Sequence, residues 1–157
     1  MMIKLLDVGK TSFKYLEDGM SIYEKRLMHY INYKRVDIPD IKNASSLSEN
    51  QIKEKEGMLL LKNIGEGDIV ILLDARGKKF SSENWARHLE KMLMYGQKDI
   101  TFVIGGAYGF SSKIYERSNE MLSLSDMIFS HQIIRLIFLE QLYRAFTIIK
   151  GEPYHHG

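Results

Sequence analysis

The stretch ITFVIGGAYGF, residues 100–110, decides the fold of this chain. Its first five residues carry no charge and include four β-branched side chains, a pattern typical of a strand that is buried on both faces. Glycines follow at positions 105, 106 and 109. Because glycine lets the backbone turn sharply and lets a ligand approach it closely, the loop after the strand is a candidate cofactor site.

The glycines do not by themselves identify a cofactor. Their spacing is not Gly-x-Gly-x-x-Gly, and the loop follows a late strand rather than the first one, which disfavours an ordinary dinucleotide-binding fold. A tight connection between a strand and a helix would need the same residues. Both interpretations of the loop stay open at this point.

Strand and helix patterns alternate on either side of this stretch. Period-2 or fully apolar runs predict strands over 2–8, 33–38 and 69–73, and helical spacing predicts helices over 13–31, 47–64 and 81–95. The polar residues 40–48 predict a loop. The alternation predicts an α/β fold with a mostly parallel sheet and helices on both faces, and the 157 residues predict one domain over 1–157.

The composition restricts the class of protein. It combines 45% hydrophobic with 27% charged residues, and no apolar run approaches the roughly 18 residues that span a membrane. The N-terminal residues lack the pattern of a secretion signal, and cysteine is absent, so we expect a cytoplasmic protein without disulfides or thiolate metal sites. A net charge of +2 means that any nucleic-acid binding depends on a local cluster of cations.

The predicted last helix, residues 130–150, is apolar nearly all round. One side of such a helix can cover the sheet, while another side needs a second partner. We therefore predict a homodimer built on this helix, since a symmetric dimer supplies that partner. The alternative is that the helix is the central core element of a monomer.

Residues 121–129 combine hydroxyl and apolar side chains just before the last helix. Their backbone amides and carbonyls could read an adenine edge, with Leu124, Met127 and Ile128 against the ring. The alternative is a short strand followed by a connector.

Two arginines, Arg135 and Arg144, stand among the apolar residues of the last helix. Each needs an anion, which could be Glu140 in a structural ion pair or a phosphate of RNA. The tail adds Tyr154, suited to base stacking, and His155, which is adjacent to a second histidine and not one helical turn from it. No metal site is predicted, and no Gly-x-Ser-x-Gly motif supports a serine hydrolase.

Several of these segments occur together in a known family. They are Ile104-Gly105-Gly106, Leu122-Ser123-Leu124-Ser125, His131-Gln132 with Arg135, Glu140-Gln141-Leu142-Tyr143-Arg144-Ala145 and Pro153-Tyr154-His155. In order and spacing the chain resembles the ribosomal RNA large subunit methyltransferase H family of the SPOUT class, along nearly its whole length. Two departures are Ser130, where the family usually has proline, and the continued tail after His155.

The resemblance implies a trefoil knot in the C-terminal half and a homodimer. It also implies transfer of a methyl group from S-adenosylmethionine to N3 of a pseudouridine in 23S rRNA, within the assembled 70S ribosome. It implies catalytic or RNA-contacting roles for Arg135, Arg144, Tyr154 and His155. The implied S-adenosylmethionine contacts are Leu73, Gly105, Leu124, Ser125, Asp126, Met127, Ile128 and Phe129.

Two other functions fit parts of the sequence. An inactive RNA-binding relative would keep the arginines but lose the cofactor segment. A small nucleotide-binding regulator would use the glycine loop but leave the Arg-Tyr-His residues at the C-terminus unexplained.

Overall fold

The computed structural model describes residues 1–154. Strands and helices alternate along most of the chain, with a short 3₁₀ helix at Ala44–Ser46. The elements are β1 (Met2–Val8), α1 (Lys14–Leu27), β2 (Asn32–Ile38), α2 (Glu49–Lys62), β3 (Ile69–Lys79), α3 (Ser82–Tyr95), β4 (Ile100–Ile104), α4 (Ser112–Arg117), β5 (Glu120–Ser123) and α5 (Ile133–Lys150).

The five strands form one sheet in the order β2-β1-β4-β3-β5, and every pairing is parallel. Helices α1 and α3 connect strands in the direction of the β2 edge and lie on one face of the sheet. Helices α2 and α4 connect strands in the direction of the β5 edge and lie on the other face. This is the arrangement required when all crossovers have the same hand. All loops that follow strands consequently meet at one edge, where the candidate site lies.

Alternating strand residues divide the core into two layers. Ile71 of β3 and Phe102 of β4 face α1, α3 and α5, whereas Leu72 and Val103 face α2 and α4. Burial on both faces explains why β4 and the first five residues of β3 carry no charged residue. The predicted parallel α/β fold with helices on both faces is confirmed, while the trefoil knot stays an implication of the family.

Helix boundaries follow local capping chemistry. Ser48 and Ser81 accept hydrogen bonds from backbone N–H groups in the first turns of α2 and α3, as serine commonly does at this position. Helix α1 ends at Leu27, four residues before its predicted end. The apolar spacing continues to Tyr30 because that ring, although it lies in a turn, stacks on Phe146 at 5.5 Å.

Strand β3 is longer than predicted. Its register against β5 shifts between Leu73 and Lys78, both of which pair with Leu122. The residues between them therefore leave the regular ladder at the carboxyl end of the strand. This irregular segment forms part of the candidate site.

Helix α5 packs against α1 and α3 and buries Phe138 and Leu142 completely. Other apolar residues of the helix stay partly accessible, with Ile133 37% exposed. The predicted homodimer would cover this surface. Among the residues that the structure describes, no helix is long and apolar enough to cross a membrane.

Candidate functional site

A cleft of about 490 Å³ opens at the carboxyl ends of β3, β4 and β5. Its volume lies in the range usual for small-molecule sites. We call it the strand-end cleft. Its lining comes from Leu73, Asp74, Ala75, Ile104, Gly105, Gly106, Ala107, Gly109, Phe110, Leu122, Ser123, Leu124, Ser125, Met127, Ile128, Phe129, Ser130, His131 and Ile134.

The structure brings seven of the eight predicted cofactor residues together at this cleft. They are Leu73, Gly105, Leu124, Ser125, Met127, Ile128 and Phe129. Asp126 does not line it, because its exposed carboxylate is directed to the ammonium group of Lys79. These predicted residues come from three separate segments of the sequence and share one concave surface.

Hydroxyl groups fold the segment between β5 and α5 around the cleft. Ser123 Oγ donates to the carbonyl oxygen of Ser125 at 3.0 Å, and the backbone N–H of Met127 donates to Ser125 Oγ at 2.9 Å. At the end of the segment, Ser130 Oγ accepts from the N–H of Ile133 at 3.2 Å. This last bond satisfies the first N–H group of α5, whose N-cap residue is Gln132.

The glycine loop is shaped by close packing and by one backbone angle. A Cβ atom on Gly105 would lie 3.0 Å from the Phe110 ring. Gly109 has a φ of 84°, a left-handed conformation that other residues rarely adopt. The loop therefore brings bare backbone to the wall of the cleft.

Asp74 is a lining residue that the sequence analysis did not single out. Tyr115 donates its hydroxyl hydrogen to one carboxylate oxygen at 2.6 Å, and the backbone N–H of Arg76 donates to the other at 2.9 Å. Burial alone would raise the pKa of Asp74, but these hydrogen bonds outweigh it and hold the pKa below its usual value. The carboxylate stays charged, and each of its oxygen atoms already accepts a hydrogen bond.

Arg135 lies in the interior with no exposed side-chain surface. Its guanidinium donates to the carbonyl oxygens of Val8 at 2.6 Å and Gly9 at 2.9 Å, and lies 3.4 Å from Asp7. A side chain with these internal partners is not accessible to an RNA phosphate. The expected phosphate contact therefore does not fit its position, and the arginine joins the end of β1 to the start of α5.

His131 lies in the cleft wall immediately before α5. Burial and the positive charge of Arg135 lower its pKa. The imidazole is therefore neutral near pH 7 and available as a hydrogen-bond donor or acceptor. The sequence analysis recognised His131 within a family motif but assigned it no role.

The second arginine of α5 belongs to an accessible cluster. The Arg144 guanidinium pairs with Glu140 at 2.6 Å and lies over the Tyr154 ring at 4.9 Å, and the Tyr154 hydroxyl donates to Glu140 at 2.9 Å. We call these three residues the α5 cluster. Its arginine keeps 26% of its side-chain surface exposed and can still meet a phosphate. The fourth predicted residue, His155, lies outside the described residues.

The α5 cluster is not part of the strand-end cleft within one chain. Ile134 lines the cleft, whereas Arg144 lies ten residues further along the same helix. At 1.5 Å per residue, their backbones are about 15 Å apart along the helix. A single chain therefore separates the predicted cofactor residues from the predicted RNA-contacting residues.

Comparisons with known proteins show which proteins this chain is similar to. A family model described as "Predicted SPOUT methyltransferase" matches residues 1–155. Proteins named ribosomal RNA large subunit methyltransferase H from Christiangramia forsetii and Parabacteroides distasonis are 53% and 51% identical to this chain, each over 99% of both chains. A solved structure described as "Structural insights into the 2-OH methylation of C/U34 on tRNA" aligns with a TM-score of 0.49 and 10% identity, covering 96% of this chain and 98% of that chain.

Proposed function

Since the chain belongs to the SPOUT methyltransferase family, as a member of the ribosomal RNA large subunit methyltransferase H group, we propose that it methylates N3 of a pseudouridine in 23S rRNA. The methyl donor is S-adenosylmethionine, and the substrate is the assembled 70S ribosome in the cytoplasm. The observation that carries the proposal is the strand-end cleft, where the end of β3, the glycine loop and the segment after β5 come together.

The lining of the cleft fits S-adenosylmethionine. Leu124, Met127 and Ile128 offer apolar surface for an adenine ring, and the turn around Ser125 presents backbone polar groups. Gly105 keeps the opposite wall free of a side chain. Among the predicted set, Asp126 contributes through its position in the turn, since its own side chain faces outward.

When bound, S-adenosylmethionine supplies a methyl group activated by its positively charged sulfur. The protein must then hold N3 of the pseudouridine in line with that group and assist removal of the N3 proton. We assign Arg144 to a phosphate or to the developing negative charge on the base, and Tyr154 to packing against the base. His155 is the proposed proton acceptor or relay.

The separation along α5 supports a homodimeric enzyme. A two-fold axis that runs beside α5 and perpendicular to it would pack the α5 helices of two copies antiparallel. The Ile134 end of one helix would then meet the Arg144 end of the other. A complete site would combine the strand-end cleft of one protomer with the α5 cluster of its partner, and Arg135 would position the helix from inside each protomer.

A labelling experiment tests the proposal. Purified protein is incubated with methyl-labelled S-adenosylmethionine and either 70S ribosomes or free 23S rRNA from a strain that lacks the modification. Label at N3 of the pseudouridine from intact ribosomes supports the full proposal, and label from free rRNA as well would remove the requirement for assembly.

Two further outcomes separate the alternatives. Cofactor binding without label in either RNA would favour an inactive RNA-binding relative. Binding of other nucleotides in preference to S-adenosylmethionine would favour a regulator. Loss of label in Arg144→Ala, with label kept in Arg87→Ala, would support the role assigned to Arg144, because the ion pair of Arg87 with Glu90 lies on the surface of α3.

A further inference from the structure

A second cavity, of about 390 Å³, lies beside the strand-end cleft. The two share Gly106, Ala107 and His131 in their walls. We call it the acidic cavity because it contains two carboxylates and no lysine or arginine. Its lining residues are Val8, Asp40, Ile41, Ala44, Ser45, Ile52, Glu56, Gly106, Ala107, Tyr108 and His131.

The acidic cavity lies where the sheet topology favours ligand binding. Val8 ends β1, whose connection runs to β2, and Gly106 follows β4, whose connection runs the opposite way to β5. Neighbouring strands whose connections diverge leave a crevice at their carboxyl ends, and ligands of open α/β sheets commonly bind there. The proposed adenosyl contacts lie across the glycine loop, nearer β3 and β5.

Glu56 is the residue of this cavity that lacks a partner. It is only 8% exposed, yet its Oε1 atom has no hydrogen-bond partner among residues 1–154. Burial and the neighbouring Asp40 carboxylate raise its pKa. A buried carboxylate oxygen without a donor is costly, so this atom is suited to accept a hydrogen bond from a ligand.

Gly106 keeps the Glu56 carboxylate in this position. A Cβ atom on residue 106 would lie 2.8 Å from Oε2 of Glu56, closer than such contacts permit. The glycine thus lets the carboxylate lie against the loop that separates the two cavities. Glu56 is held at the boundary with the strand-end cleft.

No lining side chain in the described part of the chain supplies a permanent positive charge to this carboxylate. His131 is a lining residue that could gain a positive charge, but burial together with Arg135 lowers its pKa, which favours the neutral ring. The complementary ligand group is therefore a cation that carries hydrogen-bond donors. A primary ammonium group has this chemistry.

We propose that Glu56, assisted by Asp40, binds the α-ammonium group in the methionine tail of S-adenosylmethionine. The adenosyl part lies in the strand-end cleft, and the tail passes along Gly106 and His131 into the acidic cavity. The assignment rests on the proposed function. Asp74, the carboxylate in the other cleft, is less suited because Tyr115 and Arg76 already occupy its oxygen atoms.

Calorimetric titration with two nucleosides tests this assignment without a methylation assay. S-adenosylhomocysteine carries the ammonium group, whereas 5′-methylthioadenosine has the adenosyl part and no amino-acid tail. Glu56→Gln is expected to weaken S-adenosylhomocysteine binding about tenfold or more, because a hydrogen bond to a charged group is lost. Affinity for 5′-methylthioadenosine should change less than about twofold, within the usual variation of such measurements.

Two other variants complete the design. Glu54→Gln, an exposed glutamate on the same helix, should bind both nucleosides like the unmodified protein. Asp40→Asn, at an exposed position, should weaken only S-adenosylhomocysteine and to a smaller degree. This variant keeps the assignment testable if Glu56→Gln lowers the melting temperature too far for titration.

The outcomes separate the assignment from the proposed function. Unchanged S-adenosylhomocysteine affinity in both cavity variants would overturn the assignment and leave the methyltransferase proposal intact. Equal weakening of both nucleosides would also overturn it, because the effect would then not depend on the ammonium group. Failure of the unmodified protein to bind either nucleoside would overturn the assignment together with the proposed function.

Discussion

Replacing Arg135 by alanine is expected to lower the free energy of unfolding by about 3 kcal/mol or more. The buried guanidinium donates to the carbonyl oxygens of Val8 and Gly9 and to Thr11 Oγ1 at 3.0 Å. Alanine would leave both carbonyl oxygens buried without these donors. Each loss costs about 1–3 kcal/mol, and the cavity left by the side chain adds to it.

The ion pair between Arg135 and Asp7 contributes less to the stability of the folded chain than a buried pair of full charges would. Burial and the nearby Asp37 carboxylate raise the pKa of Asp7 to about 8, although Arg135 acts in the opposite direction. At pH 7 the Asp7 carboxyl group is therefore mostly protonated, and removal of Arg135 seldom leaves a bare negative charge behind. The expected loss in the free energy of unfolding therefore lies near the lower end of the range of about 3–5 kcal/mol that is usual when a buried ion pair is broken.

Urea unfolding at pH 7 measures the effect, followed by the fluorescence of Trp85, which is 5% exposed. A loss of about 3 kcal/mol corresponds to a melting temperature lower by about 6–12 °C in a chain of this size. Arg144→Ala is the matched control on the same helix. It should stay within about 1 kcal/mol of the unmodified protein, because its ion pair is partly exposed.

A decrease of less than about 1 kcal/mol in the free energy of unfolding of Arg135→Ala, with an unchanged dependence on urea concentration, would contradict this prediction. That result would mean that water or a rearranged backbone satisfies the carbonyl oxygens of Val8 and Gly9. An accessible, RNA-contacting Arg135 would then become compatible with the data.

Three other predictions follow from separate contacts. Arg144→Ala should reduce methyl transfer to ribosomes by at least about tenfold, the loss of one charge-assisted hydrogen bond, in the labelling assay; unchanged transfer would remove this residue from the site. Gly77→Ala should lower stability by about 1–3 kcal/mol in thermal unfolding, because its Cβ would lie 2.6 Å from the backbone nitrogen of Leu122, whereas Gly67→Ala has open space and should not. Asp7→Asn should remove a pH dependence of stability. The folded chain keeps the Asp7 proton up to about pH 8, whereas the unfolded chain releases it near pH 4. The unmodified protein should therefore lose up to about 1.4 kcal/mol of stability per pH unit, relative to this variant, between about pH 5 and 8. Parallel urea-stability profiles for the two proteins would contradict the raised pKa.

Much of the fold was predictable because the pattern of neighbouring residues reports burial directly. The uncharged and fully buried β4, Ile100–Ile104, was predicted over the same residues that the structure gives it. Helix α1 was predicted too long because the apolar spacing at Tyr30 comes from tertiary packing and not from helical structure. The position of Asp126 was missed because a sequence pattern does not show which way a side chain in a turn points.

Local sequence patterns predicted β1 to β4, helices α1 to α3, α5 and the glycine loop after β4, but not the short helix α4. Hydrophobic periodicity and capping act between residues a few positions apart, so these features can be recognised locally. The tertiary structure was needed to show which arginine of α5 is accessible and that Oε1 of Glu56 has no hydrogen-bond partner among residues 1–154. The hydrogen bond from Arg135 to Val8 joins residues 127 positions apart. Such a contact depends on how the sheet and helices pack, and no local pattern contains it.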